Sequence, residues 1–176
     1  MKTFFKGFCI GLLSLSLLGL LWFLVLQPGL TNKEAQDLKE EYAQPLPGES
    51  SGELPAGKEQ AASLVNLSAL QAEYPDIQGW ISIPGTCVDY PVLQSSADEP
   101  EYYLRRTYKG EHRTAGSIFF QWDCSPESRN LVVYGHNMSD GTMFAVLQKM
   151  ADEAFRTEHS KILLQTSDGL WEYRIA

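Results

Sequence analysis

One histidine, His136, occurs where proteins commonly hold a catalytic side chain, at the end of a buried strand. Residues 131–137 read Leu-Val-Val-Tyr-Gly-His-Asn, so an apolar run leads into a glycine, the histidine and then a polar loop. A strand provides a rigid backbone behind an imidazole, and the loop leaves room for a substrate in front of it. We therefore predict that His136 acts as a general acid/base and that its ring is partly open to solvent.

The other two histidines have ordinary explanations. His112 lies in the charged loop Lys-Gly-Glu-His-Arg, which indicates a solvated surface. His159 follows a predicted helix, where a cation meets the negative pole of the helix dipole. Asp123 and Asp140 are candidates to orient the imidazole of His136, although spacing alone does not show it.

The three cysteines do not include an evident nucleophile. Cys9 lies in the apolar N-terminal run, and Cys87 and Cys124 lie in the globular part. If that part is exported, Cys87 and Cys124 either form a disulfide that closes a large loop or remain two free buried thiols. No cysteine follows Cys124 in the sequence. For a cysteine enzyme that uses His136, we expect the nucleophile to lie beyond Ala176.

Motifs for other chemistries are absent from the sequence. There is no Gly-x-Ser-x-Gly segment of a serine hydrolase and no His-Glu-x-x-His or paired Cys-x-x-Cys segment for zinc. No glycine-rich loop is placed to bind a phosphate. The sequence therefore implies no metal and no organic cofactor.

The N-terminus has the features of a membrane anchor. Residues 7–26 are twenty uncharged residues rich in Leu and Phe, and Lys2 and Lys6 precede them. In a helix such a run spans roughly 30 Å, the thickness of the hydrocarbon core of a bilayer. The positive-inside rule predicts that residues 1–6 are cytoplasmic and that the rest is extracellular. A cleaved signal peptide is the alternative, but its apolar run is shorter and ends at small residues.

The part after the predicted anchor is acidic. It holds all 22 Asp and Glu but 12 of the 14 Lys and Arg, which gives a net charge of −10. This charge argues against nucleic acid and against anionic lipid as partners.

Composition divides the exported part into a stalk and a domain. Residues 27–60 are rich in proline and glycine, and Thr31 to Tyr42 is predicted to form a short polar helix with too few apolar residues to join a core. The domain is predicted over residues 61–176. It begins with a helix over 64–74, and further helices are expected over 141–150, with Phe144 and Leu147 on one face, and over 152–158.

Between these helices the apolar pattern has a period of two, which is typical of strands. Six strands are predicted, over residues 80–83, 88–93, 116–122, 131–134, 161–166 and 170–176. Many short strands with few helices indicate a mainly β barrel or sandwich. The last strand would leave an apolar, unpaired edge, so we expect the natural chain to continue past Ala176.

Six segments, taken in order, resemble the class B sortases over about residues 64–176. They are Gly79–Thr86, Val88–Gln94, Tyr102–Leu104, Ala115–Phe119, Tyr134–Met138 and Asp140–Phe144. The Tyr that precedes Gly135 favours class B.

The resemblance implies an eight-stranded β-barrel, of which about six strands are present, and a membrane-anchored cysteine transpeptidase of Gram-positive bacteria. Such an enzyme cleaves a C-terminal sorting signal of a secreted protein at Thr, often in an Asn-Pro-x-Thr-like sequence. It then joins the protein, through a Cys thioester, to an amine of a peptidoglycan precursor or a pilin. Of the family's catalytic residues, only His136 carries over; the catalytic Cys and Arg belong to strands seven and eight. This fragment alone is therefore expected to be inactive.

Two other interpretations remain open at this point. One is a non-catalytic, sortase-like module that binds extracellular peptides. The other is an unrelated exported β-domain with a structural role, for which His136 would be dispensable.

Overall fold

The computed structural model describes residues 11–17, 19, 27–44 and 64–175. Residues 11–17 and 19 are helical, and the rest of the predicted anchor lies outside the described residues. Within these described ranges, no helix has both the length and the apolar character needed to cross a bilayer. Residues 45–60 of the predicted stalk also lie outside them.

A mixed sheet of six strands forms the body of the domain. The six strands are β3 (Ile77–Ser82), β4 (Asp89–Gln94), β5 (Ile118–Phe120), β6 (Val133–Tyr134), β7 (Lys161–Thr166) and β8 (Gly169–Arg174). Their order in the sheet is β6-β5-β4-β3-β7-β8, and every neighbouring pair is antiparallel except β4 and β5, which are parallel. All six predicted strands are present, and the mainly β fold class is confirmed.

The predicted strand ends are less accurate. The first strand begins three residues earlier than predicted, and the strands predicted over 116–122 and 131–134 shrink to three and two residues. The residues on either side of these two short strands form loops, although some of them carry apolar side chains. The apolar period alone therefore overestimated the lengths of the strands. The sheet is open among the described residues, with β6 and β8 at its two edges.

Both faces of the central strands β3, β4 and β5 are buried, and the alternation of side chains along them builds two cores. Trp80 and Ile81 are neighbours in β3 but belong to different clusters, as do Phe119 and Phe120 in β5. All four side chains are 7% exposed or less. Strands buried on both faces read as continuous apolar runs, which explains the composition of β4 and β5.

The helix predicted over residues 64–74 begins later. Leu64–Val65 is strand β2, which pairs with β1 (Ala43–Gln44), and helix α2 covers Leu67–Glu73. Asn66 separates the two because its side chain accepts a hydrogen bond from the Ala69 backbone N–H at 3.1 Å, which caps the helix.

The helix predicted over 141–150 is a 3-10 helix over Ala145–Ala151. Gly141 and Met143 both have positive φ, so the preceding segment is a turn. The predicted face is also wrong in part, because Leu147 is 39% exposed while Val146 is buried. The last predicted helix is confirmed as α3 (Glu153–Glu158).

Helix α1 (Gln27–Glu41) corrects the expectation of a free polar spacer. Ala35 and Leu38 are 5% and 3% exposed and belong to the two cores. Two ion pairs also attach this helix to the domain. Arg113 donates to both carboxylate oxygens of Glu34 at 2.8 Å, and Lys39 lies 2.6 Å from Asp89. Helix α1 is therefore docked on the domain by two buried apolar side chains and by charge-assisted contacts.

Candidate active site

His136 follows the edge strand β6, and the glycine before it is required by packing. A Cβ on Gly135 would lie 2.6 Å from Cδ2 of Phe144 and 3.2 Å from Cγ1 of Ile118. Any side chain larger than hydrogen would therefore require the Phe144 ring to move. The backbone immediately before His136 is therefore packed between the sheet and the Phe144 ring.

The His136 ring is half-buried, and one of its nitrogens is fixed. Nε2 lies 2.9 Å from the carbonyl oxygen of Leu104. A carbonyl oxygen only accepts hydrogen bonds, so Nε2 carries the proton in this contact. Nδ1 has no hydrogen-bond partner among the residues that the structure describes. In the neutral ring Nδ1 is thus the basic nitrogen left to exchange a proton.

Leu104 lies at this distance because the chain around it is tightly folded. It belongs to a short 3-10 helix, Tyr102–Arg105. Ser117 N–H donates to the Tyr103 carbonyl at 3.0 Å, and Arg113 N–H donates to the Arg105 carbonyl at 2.9 Å. These two hydrogen bonds hold the backbone of the 3-10 helix on both sides of Leu104. The Leu104 carbonyl is therefore already positioned to accept the hydrogen bond from the His136 ring.

The loop after His136 returns to it. Phe144 N–H donates to the His136 carbonyl at 2.9 Å, and Asn137 pairs with Met143 in an isolated antiparallel bridge. The ring of His136 is therefore fixed by the 3-10 helix that contains Leu104, and its backbone is fixed by the loop that contains Phe144.

The two candidate carboxylates do not orient the ring. Asp140 accepts from the N–H and the hydroxyl of Thr142 at 3.0 and 2.7 Å, so it closes the loop turn. Asp123 accepts from Gln121 Nε2 at 2.6 Å. Neither is hydrogen-bonded to His136. The orienting group is the Leu104 main chain, which sequence reasoning missed because every residue type has the same carbonyl.

Comparisons with known proteins identify the family of this chain. The Sortase domain family model matches residues 81–176, which is more than half of the chain. The chain belongs to the sortase family. This membership rules out the unrelated structural β-domain.

The relatives also confirm the class B resemblance. Sortase B of Listeria monocytogenes is 40% identical over 111 residues, which cover 62% of this chain and 44% of that protein. The crystal structure of sortase B from Bacillus anthracis in complex with AAEK1 is 34% identical with a TM-score of 0.61, over 81% of this chain and 62% of that one. The Staphylococcus aureus sortase B–substrate complex is 33% identical with a TM-score of 0.57, over 61% and 50%. The chain spans about half the length of the curated relatives it matches.

The two described cysteines of this sortase are free, so they do not form a disulfide. Cys87 Sγ donates to the Gly141 carbonyl at 3.2 Å, and burial raises the pKa of its thiol. Cys124 Sγ lies 3.5 Å from the Asn130 carbonyl oxygen. Neither thiol is hydrogen-bonded to His136, and a raised pKa disfavours the thiolate that a nucleophile needs. Both are partly buried rather than fully buried.

The remaining histidines have the surroundings expected for structural residues. His112 is exposed, and its backbone pairs with Arg106. His159 ends α3, its Nδ1 lies 3.0 Å from the Pro84 carbonyl oxygen, and its ring packs on Phe155 at 4.3 Å between centroids. Within the described residues, no group of three His, Cys, Asp or Glu side chains is placed to hold a metal ion.

Proposed function

We propose that this chain is the front part of a membrane-anchored class B sortase and that His136 is its general acid/base. The enzyme would cleave the C-terminal sorting signal of a secreted protein at Thr and transfer the new acyl end to an amine of a peptidoglycan precursor or a pilin. The catalytic Cys and Arg would lie in segments beyond residue 176, because neither Cys87 nor Cys124 has the surroundings of a nucleophile.

The proposed reaction has two balanced steps. A thiolate attacks the threonine carbonyl, the C–N bond breaks, and the His136 imidazolium gives its proton to the leaving amine. The acceptor amine then attacks the thioester, His136 takes its proton, and the thiolate leaves. An arginine would stabilise the oxyanion formed in each step. Amine attack keeps the acyl group in an amide, so no hydrolysis is needed.

The observation that carries the proposal is the state of the His136 ring. Nε2 is fixed by the Leu104 carbonyl at 2.9 Å, the ring is half-buried, and Nδ1 is free of partners among the described residues. A general acid/base needs this combination of fixed orientation, access and one available nitrogen. Nδ1 would therefore be the atom that exchanges the proton.

The apolar run over residues 7–26 supports the proposed location. Its length fits a bilayer, and Lys2 and Lys6 favour a cytoplasmic N-terminus. The domain would then lie on the outer face of the cell membrane, where the secreted substrate and the cell-wall amine are also found. An anchor raises the effective concentration of an enzyme that meets both substrates at one surface.

The test begins with the coding region past the codon of Ala176. We expect a further strand with a Ser/Thr-x-Cys sequence and a later Arg. The extended protein, incubated with an Asn-Pro-x-Thr peptide, should form a thioester that mass spectrometry detects. His136→Ala should abolish transfer, and the exposed His112→Ala should not. Peptide binding without any covalent adduct would instead support the non-catalytic module, and no downstream cysteine would end the proposal.

A further inference from the structure

The loop that follows His136 and returns to it at Phe144 is held by a hydrogen bond to a tyrosine hydroxyl. The backbone N–H of Met143 donates to the hydroxyl oxygen of Tyr90 at 3.2 Å. Tyr90 lies in β4 and is 3% exposed, and Met143 is 1% exposed. Because this contact is shielded from water, the Met143 N–H would lose its partner if the hydroxyl were removed.

Met143 needs such support because its backbone is strained. Its φ is 55°, in the left-handed region that residues with a side chain rarely occupy. An alternative conformation with negative φ would move the next peptide unit. That unit carries the Phe144 N–H, which donates to the His136 carbonyl at 2.9 Å. The conformation of Met143 therefore decides whether the His136 backbone keeps its hydrogen bond.

The same hydroxyl connects to the N-terminal helix. Tyr90 donates its proton to Oδ1 of Asn32 in α1. The hydroxyl thus accepts from Met143 and donates to Asn32 at once, and one donor and one acceptor role are both used. Burial raises the pKa of Tyr90 to about 12, so the hydroxyl keeps its proton at neutral pH.

We propose that Tyr90 is a positioning residue for His136, and that Asn32 of α1 holds the Tyr90 hydroxyl in the orientation that supports Met143. The chain of contacts runs from α1 through β4 to the loop that returns to the histidine. Helix α1 would then affect the active site without touching it. The relevance to catalysis rests on the proposed role of His136, but the contacts can be tested without it.

The test compares three variants of the 176-residue chain. Tyr90→Phe removes the hydroxyl and keeps the ring, and Asn32→Ala removes only the acceptor. Tyr173→Phe is the matched control, because Tyr173 is 43% exposed in β8. Amide hydrogen exchange is measured at Met143 and Phe144, with the Val92 amide in the centre of the sheet as a reference for global opening.

In Tyr90→Phe we expect exchange at both Met143 and Phe144 to become about fivefold faster or more relative to Val92. The Met143 N–H loses its acceptor, and the Phe144 N–H loses the geometry of its hydrogen bond to the His136 carbonyl. The imidazole nitrogen signals of His136 should shift in the same variant. Asn32→Ala should give the same changes with smaller size, and Tyr173→Phe should give none.

Two results would overturn the proposal. One is an unchanged Phe144 amide and an unchanged His136 ring in Tyr90→Phe. The other, if Tyr90→Phe exposes Val92 equally and so unfolds globally, is an absence of change in Asn32→Ala. A change in Tyr90→Phe with none in Asn32→Ala would remove α1 from the proposal.

The complete enzyme separates this inference from the proposed function. Tyr90→Phe should lower kcat and alter the pH profile while leaving KM nearly unchanged, since only the proton-transfer group moves. If His136→Ala retains full activity, the proposed function fails while the exchange results still decide the positioning role.

Discussion

Gly116 lies directly against Leu104, the residue whose carbonyl binds the His136 ring. A Cβ on Gly116 would come within 2.3 Å of the Leu104 carbonyl oxygen and 2.7 Å of its carbonyl carbon. Gly116 also has a φ of +58°, which favours glycine. This position therefore sets how closely the segment after His112 approaches the 3-10 helix that presents the acceptor.

Gly116→Ala should destabilise the protein by about 3 kcal/mol or more, because strain at positive φ and a backbone clash add together. Gly141→Ala is the matched control: its φ is +85°, but no atom lies within 4 Å of the added Cβ. The control should cost only about 1–2 kcal/mol from the backbone term. Chemical denaturation of both variants measures the difference. Equal losses would show that the clash at Gly116 is relieved without cost.

Helix α1 is expected to stabilise the domain. Leu38→Ala should lower the free energy of unfolding by about 2–5 kcal/mol, since it empties a site that is 3% exposed. Leu30→Ala, in the same helix but 37% exposed, should change it by no more than about 0.5 kcal/mol. Denaturation curves of the two variants decide between a docked helix and a free spacer. Similar small effects in both would contradict the docked arrangement.

The sequence was sufficient for the existence of the six sheet strands, although not for their ends, and for the position of His136, because these depend on local apolar period and on one glycine. Trp80 and Ile81 show both the success and its limit: the apolar pattern predicted their strand, but the burial of both its faces came only from the structure. The docking of α1 was missed because Ala35 and Leu38 form a narrow apolar stripe, and their partners are distant in sequence. Glu34 pairs with Arg113, a contact that no local pattern predicts.

The site was predictable only in part, for a related reason. Its histidine has a residue type that indicates chemistry, but its orienting group is a main-chain carbonyl. Asp140 was a candidate for the orienting role because carboxylates commonly orient histidines. Its carboxylate instead accepts hydrogen bonds from the hydroxyl and the N–H of Thr142. Main-chain partners depend on backbone path, and here that path follows from the tight contact at Gly116.

The hydrogen bond to Leu104 predicts one tautomer of His136. In the neutral ring the proton should reside on Nε2, because the carbonyl cannot donate. Long-range nitrogen–proton NMR correlation of labelled protein measures this directly. His112, which is exposed, serves as the internal comparison and should show mixed tautomers. A proton on Nδ1 of His136 would contradict the arrangement and would exchange the roles of the two nitrogens.

Tyr90 predicts a loss of stability at alkaline pH. Burial raises the pKa of Tyr90 from 10.0 to about 12, so the folded state favours the protonated hydroxyl. This contribution is fully present below pH 10, the unfolded value, and is lost as the pH rises through about 12. Tyr90→Phe cannot ionise, so its stability should fall less steeply across this window than that of the unchanged chain. Denaturant titrations at several pH values give both slopes. Parallel slopes for the two proteins would show that Tyr90 ionises in the folded state as freely as in the unfolded one.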